Sequence, residues 1–303
     1  MLPSASPTTH LFPRERPRRR ATGRGRVTSA TAAAAVAAAL AVSGCSTEPE
    51  HTAHDGELTI EHVHGLGVDP ADGQLYAGTH HGIVHVSSGG ELTRIADRVQ
   101  DFMGFTVVGP RHFLASGHPG PGESGPSDLG LIESTDGGQT WSTLSLAGEA
   151  DFHALDAAEG VIYGYTAGAL LASQNGRTWE NRREMALADL AVDPTEPQRL
   201  LVTTETGPAL SADGGRSFSQ PAGAPLLQLV AFTPDEGGAV GVAPDGTVYA
   251  SSDDGWTWTP SGNAGGAPEA LGVDGDKVYV ALEGAIVSSI DGGATFTDLY
   301  RRR

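Results

Sequence analysis

Histidines are concentrated in the first half of the region after residue 57, and together with nearby carboxylates they are the side chains most able to do chemistry. Eight histidines lie between residues 57 and 303, and six of them occupy four short segments: His62, His64, His80, His81, His118 and His153. Imidazole and carboxylate groups coordinate Zn²⁺, Cu²⁺, Ni²⁺ and Fe²⁺, and they also exchange protons with substrates. Either chemistry requires a fold that brings these distant segments to one place.

A repeated segment indicates what that fold is. Five copies of a short Ser/Asp/Gly pattern, each closed by an aromatic residue, begin at Ser134, Ser173, Ser211, Ser251 and Ser289. A degenerate copy begins at Ser87, and successive starts are 47, 39, 38, 40 and 38 residues apart. This period is typical of propeller blades made of four short strands. The spacing predicts an all-β, six-bladed β-propeller of four-stranded antiparallel blades over residues 57–303, with Glu57–Ile60 as a spare strand available to close the ring.

The repeated segment has the composition of a tight turn. Asp followed by Gly suits a hairpin because Gly adopts positive φ without a Cβ clash. The carboxylate can accept hydrogen bonds from turn amides, and the Ser and Thr hydroxyls can close the loop. The closing aromatic residue is expected to pack between blades. The repeated aspartates are therefore predicted to be structural rather than catalytic.

The segment Ser134-Thr-Asp-Gly-Gly-Gln-Thr-Trp141 and its copies resemble the Asp box of sialidases and other BNR-repeat proteins. The chain also looks like small bacterial lipoproteins that are often labelled glycosyl hydrolases. The resemblance implies the propeller fold. The Phe/Tyr-Arg-Ile-Pro motif that carries the first substrate-binding arginine of sialidases is missing, so sialidase activity is not expected. Similar repeats occur in photosystem II assembly factors and sortilin-like receptors, which bind proteins and have no catalytic site.

The first strand of each blade is the inner strand. When the six inner strands are aligned, the reactive side chains fall at equivalent positions. The predicted inner strands begin at His62, Asp101, Asp151, Leu187, Leu226 and Glu269. Residues two apart on a strand face the same way. Two equivalent positions on the inner strands of blades one to three are therefore expected to face the same mouth of the channel. They supply the predicted ligands of a divalent transition metal, zinc or copper, in which the thioether favours copper: His62, His64, Asp101, Met103, Asp151 and His153.

Loops between the second and third strands open on the same mouth. With one inner-strand residue they form the predicted ligand-binding set, which is His80, His81, His118, Tyr165, Glu205 and Glu269. Asp101 and Asp151 are also a candidate catalytic pair for a glycoside hydrolase of non-sialidase type. In a third interpretation these groups only hydrogen-bond to one another across a wet channel. The Gly-, Pro- and Ser-rich segment 118–128 is a surface loop, either a partial lid or an inert insertion.

Residues 1–44 resemble the signal peptide of a bacterial lipoprotein. Seven arginines precede an Ala/Val-rich core, and Val42-Ser43-Gly44-Cys45 is similar to the lipobox. The resemblance implies lipidation of Cys45 and cleavage before it, which would anchor the protein to the extracytoplasmic side of the cell membrane. Residues 45–56 then form a flexible tether. Cys45 is the only cysteine, so no internal disulfide can form.

The net charge of the region after residue 44 limits the classes of partner that the protein is expected to bind. That region has 12 basic and 36 acidic residues, a net charge of −24. Such a surface repels nucleic acid. The expected partners of a monomeric protein are a small polar ligand, a glycan or an envelope protein. The leading prediction is an exported, lipid-anchored propeller that binds a ligand or metal ion at its mouth; the alternatives are a glycoside hydrolase and a non-catalytic envelope scaffold.

Overall fold

A computed structural model describes residues 58–234 and 237–302, which form six antiparallel sheets arranged as a six-bladed β-propeller. The predicted signal peptide and almost all of the tether region, with Cys45, lie outside the described residues. Every regular element in these two ranges is a strand, so they contain no helix long and apolar enough to cross a membrane. The blade number predicted from the repeat is confirmed.

The first three blades each have four strands. Blade one contains β1 (Val63–Asp69), β2 (Gln74–Thr79), β3 (Gly82–Val86) and β4 (Leu92–Arg94). Blade two contains β5 (Asp101–Gly109), β6 (His112–His118), β7 (Leu131–Ser134) and β8 (Ser142–Ser145). Blade three contains β9 (Ala154–Ala158), β10 (Val161–Thr166), β11 (Ala169–Ser173) and β12 (Glu180–Glu184).

The other blades differ only at the outer edge of blade four. Blade four contains β13 (Asp189–Val192), β14 (Leu200–Thr204) and β15 (Gly207–Ser211), and its fourth strand is reduced to one bridge between Leu210 and Ser219. Blade five contains β16 (Leu229–Phe232), β17 (Ala239–Val242), β18 (Thr247–Ser251) and β19 (Thr259–Asn263). Blade six contains β20 (Pro268–Asp274), β21 (Lys277–Leu282), β22 (Ala285–Ser289) and β23 (Thr297–Arg301).

The apolar core is divided among the six junctions between neighbouring blades. Each of six buried clusters combines residues of two adjacent blades, as in the cluster that contains Leu75 of blade one and Ile286 of blade six. The aromatic residue that closes each complete repeat packs against one of these clusters. Trp141, for example, lies 5.2 Å from Phe102 between ring centroids. This confirms the predicted inter-blade position of the closing aromatic residues.

Hydrogen bonds within each repeated turn are those expected from its composition. Asp136 accepts from the Ser134 hydroxyl at 2.8 Å, the Thr140 amide at 2.9 Å and the Thr140 hydroxyl at 2.6 Å. These bonds, led by that of the Thr140 hydroxyl, lower the pKa of Asp136 to about 2. In the second copy, Asn175 accepts from the amide and the hydroxyl of Thr178 with its side-chain oxygen. The carboxylates of the turns are thus committed to structure.

Closure of the ring differs from the prediction. Residues 58–60 of the expected spare strand Glu57–Ile60 form no strand. Ile60 is instead buried in the core cluster shared by blades one and six, and its amide donates to the Tyr300 hydroxyl at 3.3 Å. Strand β23 already supplies the fourth strand of blade six. The short apolar segment that ends at Ile60 therefore packs into the junction between blades one and six and does not pair as a strand. In the described part of the chain, side-chain contacts between blades one and six close the ring.

Candidate functional site

The starts of the inner strands and the β2–β3 and β6–β7 loops meet at one mouth of the channel. The six histidines identified in the sequence lie at these starts and in these loops. Their contacts divide most of them into two groups. We name the first the tri-histidine group, which is His62, His64 and His80. We name the second the Asp151 group, which is Asp151, His118 and His153.

The tri-histidine group places three imidazoles in mutual contact. One ring nitrogen from each of His62, His64 and His80 lies within 4.8 Å of the other two. The ring centroids are 4.6 Å apart for His62 and His64, 4.5 Å for His64 and His80, and 5.4 Å for His62 and His80. This spacing places three metal-binding atoms around one point.

Carboxylates orient two of these rings. Glu269 Oε1 lies 2.8 Å from His62 Nδ1, and Asp101 Oδ1 lies 2.9 Å from His80 Nδ1. An Nδ1–H that donates to a carboxylate leaves Nε2 with a free lone pair and fixes the orientation of the ring. His64 Nε2 is 3.3 Å from His80 Nδ1 and 3.6 Å from Asp101 Oδ1. Glu269 and Asp101 therefore orient the rings of His62 and His80.

His64 is the most buried member of the group, with 11% of its side chain exposed. Burial, followed by the nearby charges of His62 and His80, lowers its pKa to about 4. His64 is therefore neutral at neutral pH. A neutral imidazole is the form that binds a metal ion.

The Asp151 group surrounds one carboxylate oxygen with two imidazoles. Asp151 Oδ2 lies 3.0 Å from His153 Nε2 and 3.3 Å from His118 Nε2. Burial raises the pKa of Asp151. The hydrogen bond from His118 to the Ser127 carbonyl, followed by the charge of Asp151, raises the pKa of His118. Both shifts favour proton binding within the group.

The segment 118–128 is attached to the mouth at several points. His118 Nδ1 donates to the Ser127 carbonyl at 2.8 Å, so the two ends of the segment are joined. Glu123 accepts from the Gly120 amide at 3.1 Å and from the buried side chain of Gln100 at 3.0 Å. These bonds give His118 a defined position beside Asp151.

The remaining predicted site residues lie outside the two groups. Met103 is half-buried on β5. His81 is exposed and lies 3.6 Å from Glu61. The Tyr165 carbonyl accepts the His153 amide at 3.0 Å, and Glu205 is exposed in the β14–β15 turn of blade four. The mouth is therefore built mainly by blades one, two, three and six.

Two acidic residues inside the channel were not predicted. The inner strands line a cavity of about 370 Å³, which includes Asp156 and Asp189. Asp156 accepts the Val192 amide, and Asp189 accepts the Val230 amide, both at 2.8 Å, so each carboxylate joins its blade to the next. Burial raises the pKa of Asp156 to about 6 and that of Asp189 to about 7. The sequence feature that could have identified them is an acidic residue within an otherwise apolar inner strand.

Comparison with known proteins shows the fold. No family model matches the chain, and no curated protein matches it. A GH74 xyloglucanase from Xanthomonas campestris is 16% identical with a TM-score of 0.54, over 79% of this chain and 45% of that chain. This chain thus spans less than half of the enzyme's length.

Two smaller propellers are matched over more of their own length. A gluconolactonase from Xanthomonas campestris is 12% identical with a TM-score of 0.60, over 75% of this chain and 85% of that chain. YCF48 from Cyanidioschyzon merolae is 12% identical with a TM-score of 0.51, over 76% of this chain and 96% of that chain. At these identities the similarity shows a β-propeller fold, which enzymes and non-enzymes share.

Proposed function

We propose that this chain is an exported, lipid-anchored Asp-box propeller that binds a divalent transition-metal ion at the mouth of its channel. His62, His64 and His80 are the ligands. The observation that carries the proposal is the contact of three imidazoles, two of which have a carboxylate on Nδ1. Carboxylate-backed histidines are typical of metal sites in proteins.

The geometry requires only small movements to bind an ion. Zinc lies about 2.1 Å from imidazole nitrogen, so two ligands of a tetrahedral ion are roughly 3.4 Å apart. The three nitrogens already lie within 4.8 Å of one another. The side chains of His62 and His80 are 41% and 40% exposed, so their rings have room to rotate. Imidazole suits both Zn²⁺ and Cu²⁺, and recruitment of Met103 as a fourth ligand would favour copper.

Titration of the full chain with Zn²⁺ and Cu²⁺ tests this proposal. Isothermal titration calorimetry should show binding to the wild type and a loss of affinity of about 100-fold in His64→Gln, because a ligand is removed. His112→Gln is the matched control, because His112 is also 2.9 Å from a carboxylate, Glu133, but lies outside both groups. Absence of binding by the wild type, or equal affinity in a folded His64→Gln protein, would overturn the proposal.

The membrane anchor has a separate test. Metabolic labelling with a radioactive fatty acid should label the wild type, and Cys45→Ala should abolish the label and release the protein from the membrane fraction. A labelled Cys45→Ala protein would contradict lipidation at this residue.

A second candidate function is glycoside hydrolysis of non-sialidase type. The observation in its favour is the unequal environment of Asp151 and Asp101. Burial raises the pKa of Asp151, and the charge of Asp101 acts in the same direction, as expected of an acid beside a carboxylate base. Hydrolysis of aryl glycosides that is lost in both Asp101→Asn and Asp151→Asn would support this function. Turnover that persists in the double variant would exclude these carboxylates.

A further inference from the structure

We propose that a cavity between blades two and three binds a small neutral phenol. The cavity has a volume of about 360 Å³, and none of the six histidines of the mouth lines it. Its walls are mainly apolar and carry a few polar groups, which is typical of small-molecule sites. The lining residues on which the proposal rests are Leu114, Ile162, Glu133, Glu159, Gly160 and Asn175. The cavity shares no residue with the proposed metal site, so the two proposals are independent.

Leu114 occupies a position that is tyrosine in three other blades. It is the third residue of β6, and the third residues of β2, β10 and β21 are Tyr76, Tyr163 and Tyr279. Each of these tyrosines packs in the apolar cluster at a junction between two blades. Leu114 lies in the cluster at the junction between blades two and three, where it fills less volume than a tyrosine. The cavity therefore has room for the phenol ring that blade two lacks.

Tyr163 shows where the hydroxyl of such a ring would lie. Its hydroxyl donates to the Pro197 carbonyl at 2.9 Å, in the turn between the first two strands of blade four. The equivalent turn of blade three contains Glu159 and Gly160, and both residues line the cavity. A phenol placed beside Leu114 in the way that the Tyr163 ring is placed in β10 would present its hydroxyl to the carbonyls of this turn.

The repeated turn of blade three leaves one of these carbonyls without an internal donor. In four other blades, an amide of the repeated turn donates at 2.9 Å to a carbonyl in the turn between the first two strands of the same blade. The donors are Gly137, Gly214, Asp254 and Gly292, and their acceptors are Arg111, Gln198, Gly237 and Asp276. The copy in blade three, Ser173–Trp179, is one residue shorter, and none of its amides donates to the equivalent residue, Gly160, in the described part of the chain. A hydroxyl of a ligand can take the place of the missing amide.

The charges around the cavity favour a neutral ligand. Glu133 and Glu159 line it, and no Arg or Lys does. Glu133 is paired with His112 at 2.9 Å, and Glu159 is exposed. These carboxylates disfavour an anionic ligand, and the apolar walls disfavour an ammonium group. A phenol is neutral at neutral pH and combines an apolar ring with one strong donor.

Titration of the full chain with 4-methylphenol tests the proposal. Ligand-observed NMR follows the titration in the presence of a chelator, which removes metal ions from the mouth. The wild type should bind with a dissociation constant of roughly 0.1–1 mM, as expected for so small a ligand. Toluene lacks the hydroxyl and should bind about 5- to 10-fold more weakly. His64→Gln should bind 4-methylphenol as the wild type does, so failure of the metal proposal would leave this one intact.

Two variants should close the cavity from opposite sides. Leu114→Tyr supplies the missing ring from blade two, and insertion of one glycine after Asn175 restores the length of the repeated turn. Each should abolish detectable binding of 4-methylphenol. Leu114→Met is the matched control and should retain binding, because it preserves the volume of the side chain. Thermal unfolding of each variant checks that the propeller is folded.

Three results would overturn the proposal. The first is absence of binding by the wild type in the millimolar range. The second is unchanged affinity in a folded Leu114→Tyr or glycine-insertion variant, because the phenol would then bind elsewhere. The third is equal affinity for toluene and 4-methylphenol, which would show that the site does not recognise a hydroxyl.

Discussion

Glu269 of blade six contacts and orients His62 of blade one. Its Oε1 atom is 2.8 Å from His62 Nδ1, and its Oε2 atom accepts the Val63 amide at 3.2 Å. One carboxylate thus orients a candidate metal ligand and joins the two ends of the ring. Loss of this side chain should affect both roles.

Glu269→Ala should weaken binding of Zn²⁺ by about 10- to 100-fold, because His62 loses the group that fixes its tautomer. The melting temperature should also fall, because the Val63 amide loses its acceptor. Calorimetric titration and thermal unfolding measure the two effects. Glu133→Ala is the control, since Glu133 has a comparable contact, 2.9 Å, with His112 away from the mouth. Equal zinc affinities in the two variants would show that Glu269 does not support a metal site.

The repeated turns should contribute to stability but not to binding. Asp136→Ala removes three hydrogen bonds and should lower the free energy of unfolding by about 2 kcal/mol. For a domain of this size the melting temperature should fall by about 4–8 °C. Asp136→Asn should cost less, because Asn175 already performs this role in the second copy. A change in zinc affinity in either folded variant would contradict the structural assignment.

Asp189 should make the stability of the protein depend on pH. Its pKa is about 7 in the folded chain, where burial raises it from 3.8. Between these pH values the folded chain binds a proton that the unfolded chain does not, so this residue lowers the free energy of unfolding as pH rises, up to about pH 7. Asp189→Asn removes this contribution, and the stability of the variant relative to the wild type should increase from about pH 4.5 to pH 8.

Urea unfolding at both pH values measures this difference. Asp156 and His64 titrate in overlapping ranges and are present in both proteins. Asp245→Asn is the control, because hydrogen bonds, above all from the Thr247 amide, lower the pKa of Asp245. It should follow the wild-type profile above pH 4.5. A relative stability of Asp189→Asn that does not change with pH would refute the prediction.

The inner strands approach each other closely, so replacement of Gly104 should lower the stability of the protein. A Cβ atom at Gly104 on β5 would lie 2.5 Å from the Phe152 carbonyl oxygen of blade three. Gly104→Ala must displace backbone and should cost about 1–3 kcal/mol of stability. At Gly266 the nearest atoms to a Cβ are those of Leu282 at 3.9 Å, so Gly266→Ala should change stability by less than about 0.5 kcal/mol. Chemical denaturation of the pair measures the difference, and similar costs would argue against tight packing at β5.

The turns were predictable from sequence because their chemistry is local. The hydrogen-bonding side chains of a turn lie within seven residues of one another, as Ser134, Asp136 and Thr140 do. The sequence pattern alone therefore predicts the structure of the turn. Strand starts were less predictable. Leu187 and Leu227 are buried near the expected starts of inner strands, yet the strands begin at Asp189 and Leu229. Apolar residues in a loop can fill the core as well as those in a strand, and periodicity does not distinguish them.

The site was predictable as a location but not as a set of contacts. Alternation along β1 placed His62 and His64 at the mouth, whereas the approach of His80 to both depends on the conformation of the β2–β3 loop. The contact between His62 and Glu269 crosses the closure of the ring, which no local pattern encodes. For the same reason, the sequence did not show that Asp101 contacts the tri-histidine group whereas Asp151 contacts His118 and His153.

Closure of the ring by side chains has a consequence for the order of assembly. Val63 and Glu269 are 206 residues apart, and contacts of such long range form late because loop closure carries an entropic cost. His62 therefore gains its carboxylate only when the last blade has docked against the first. A metal ion that binds tightly to the finished mouth would stabilise the docked state over partly folded chains. Metal occupancy would then be highest in chains whose ring is closed, and removal of the ion would lower the fraction of such chains.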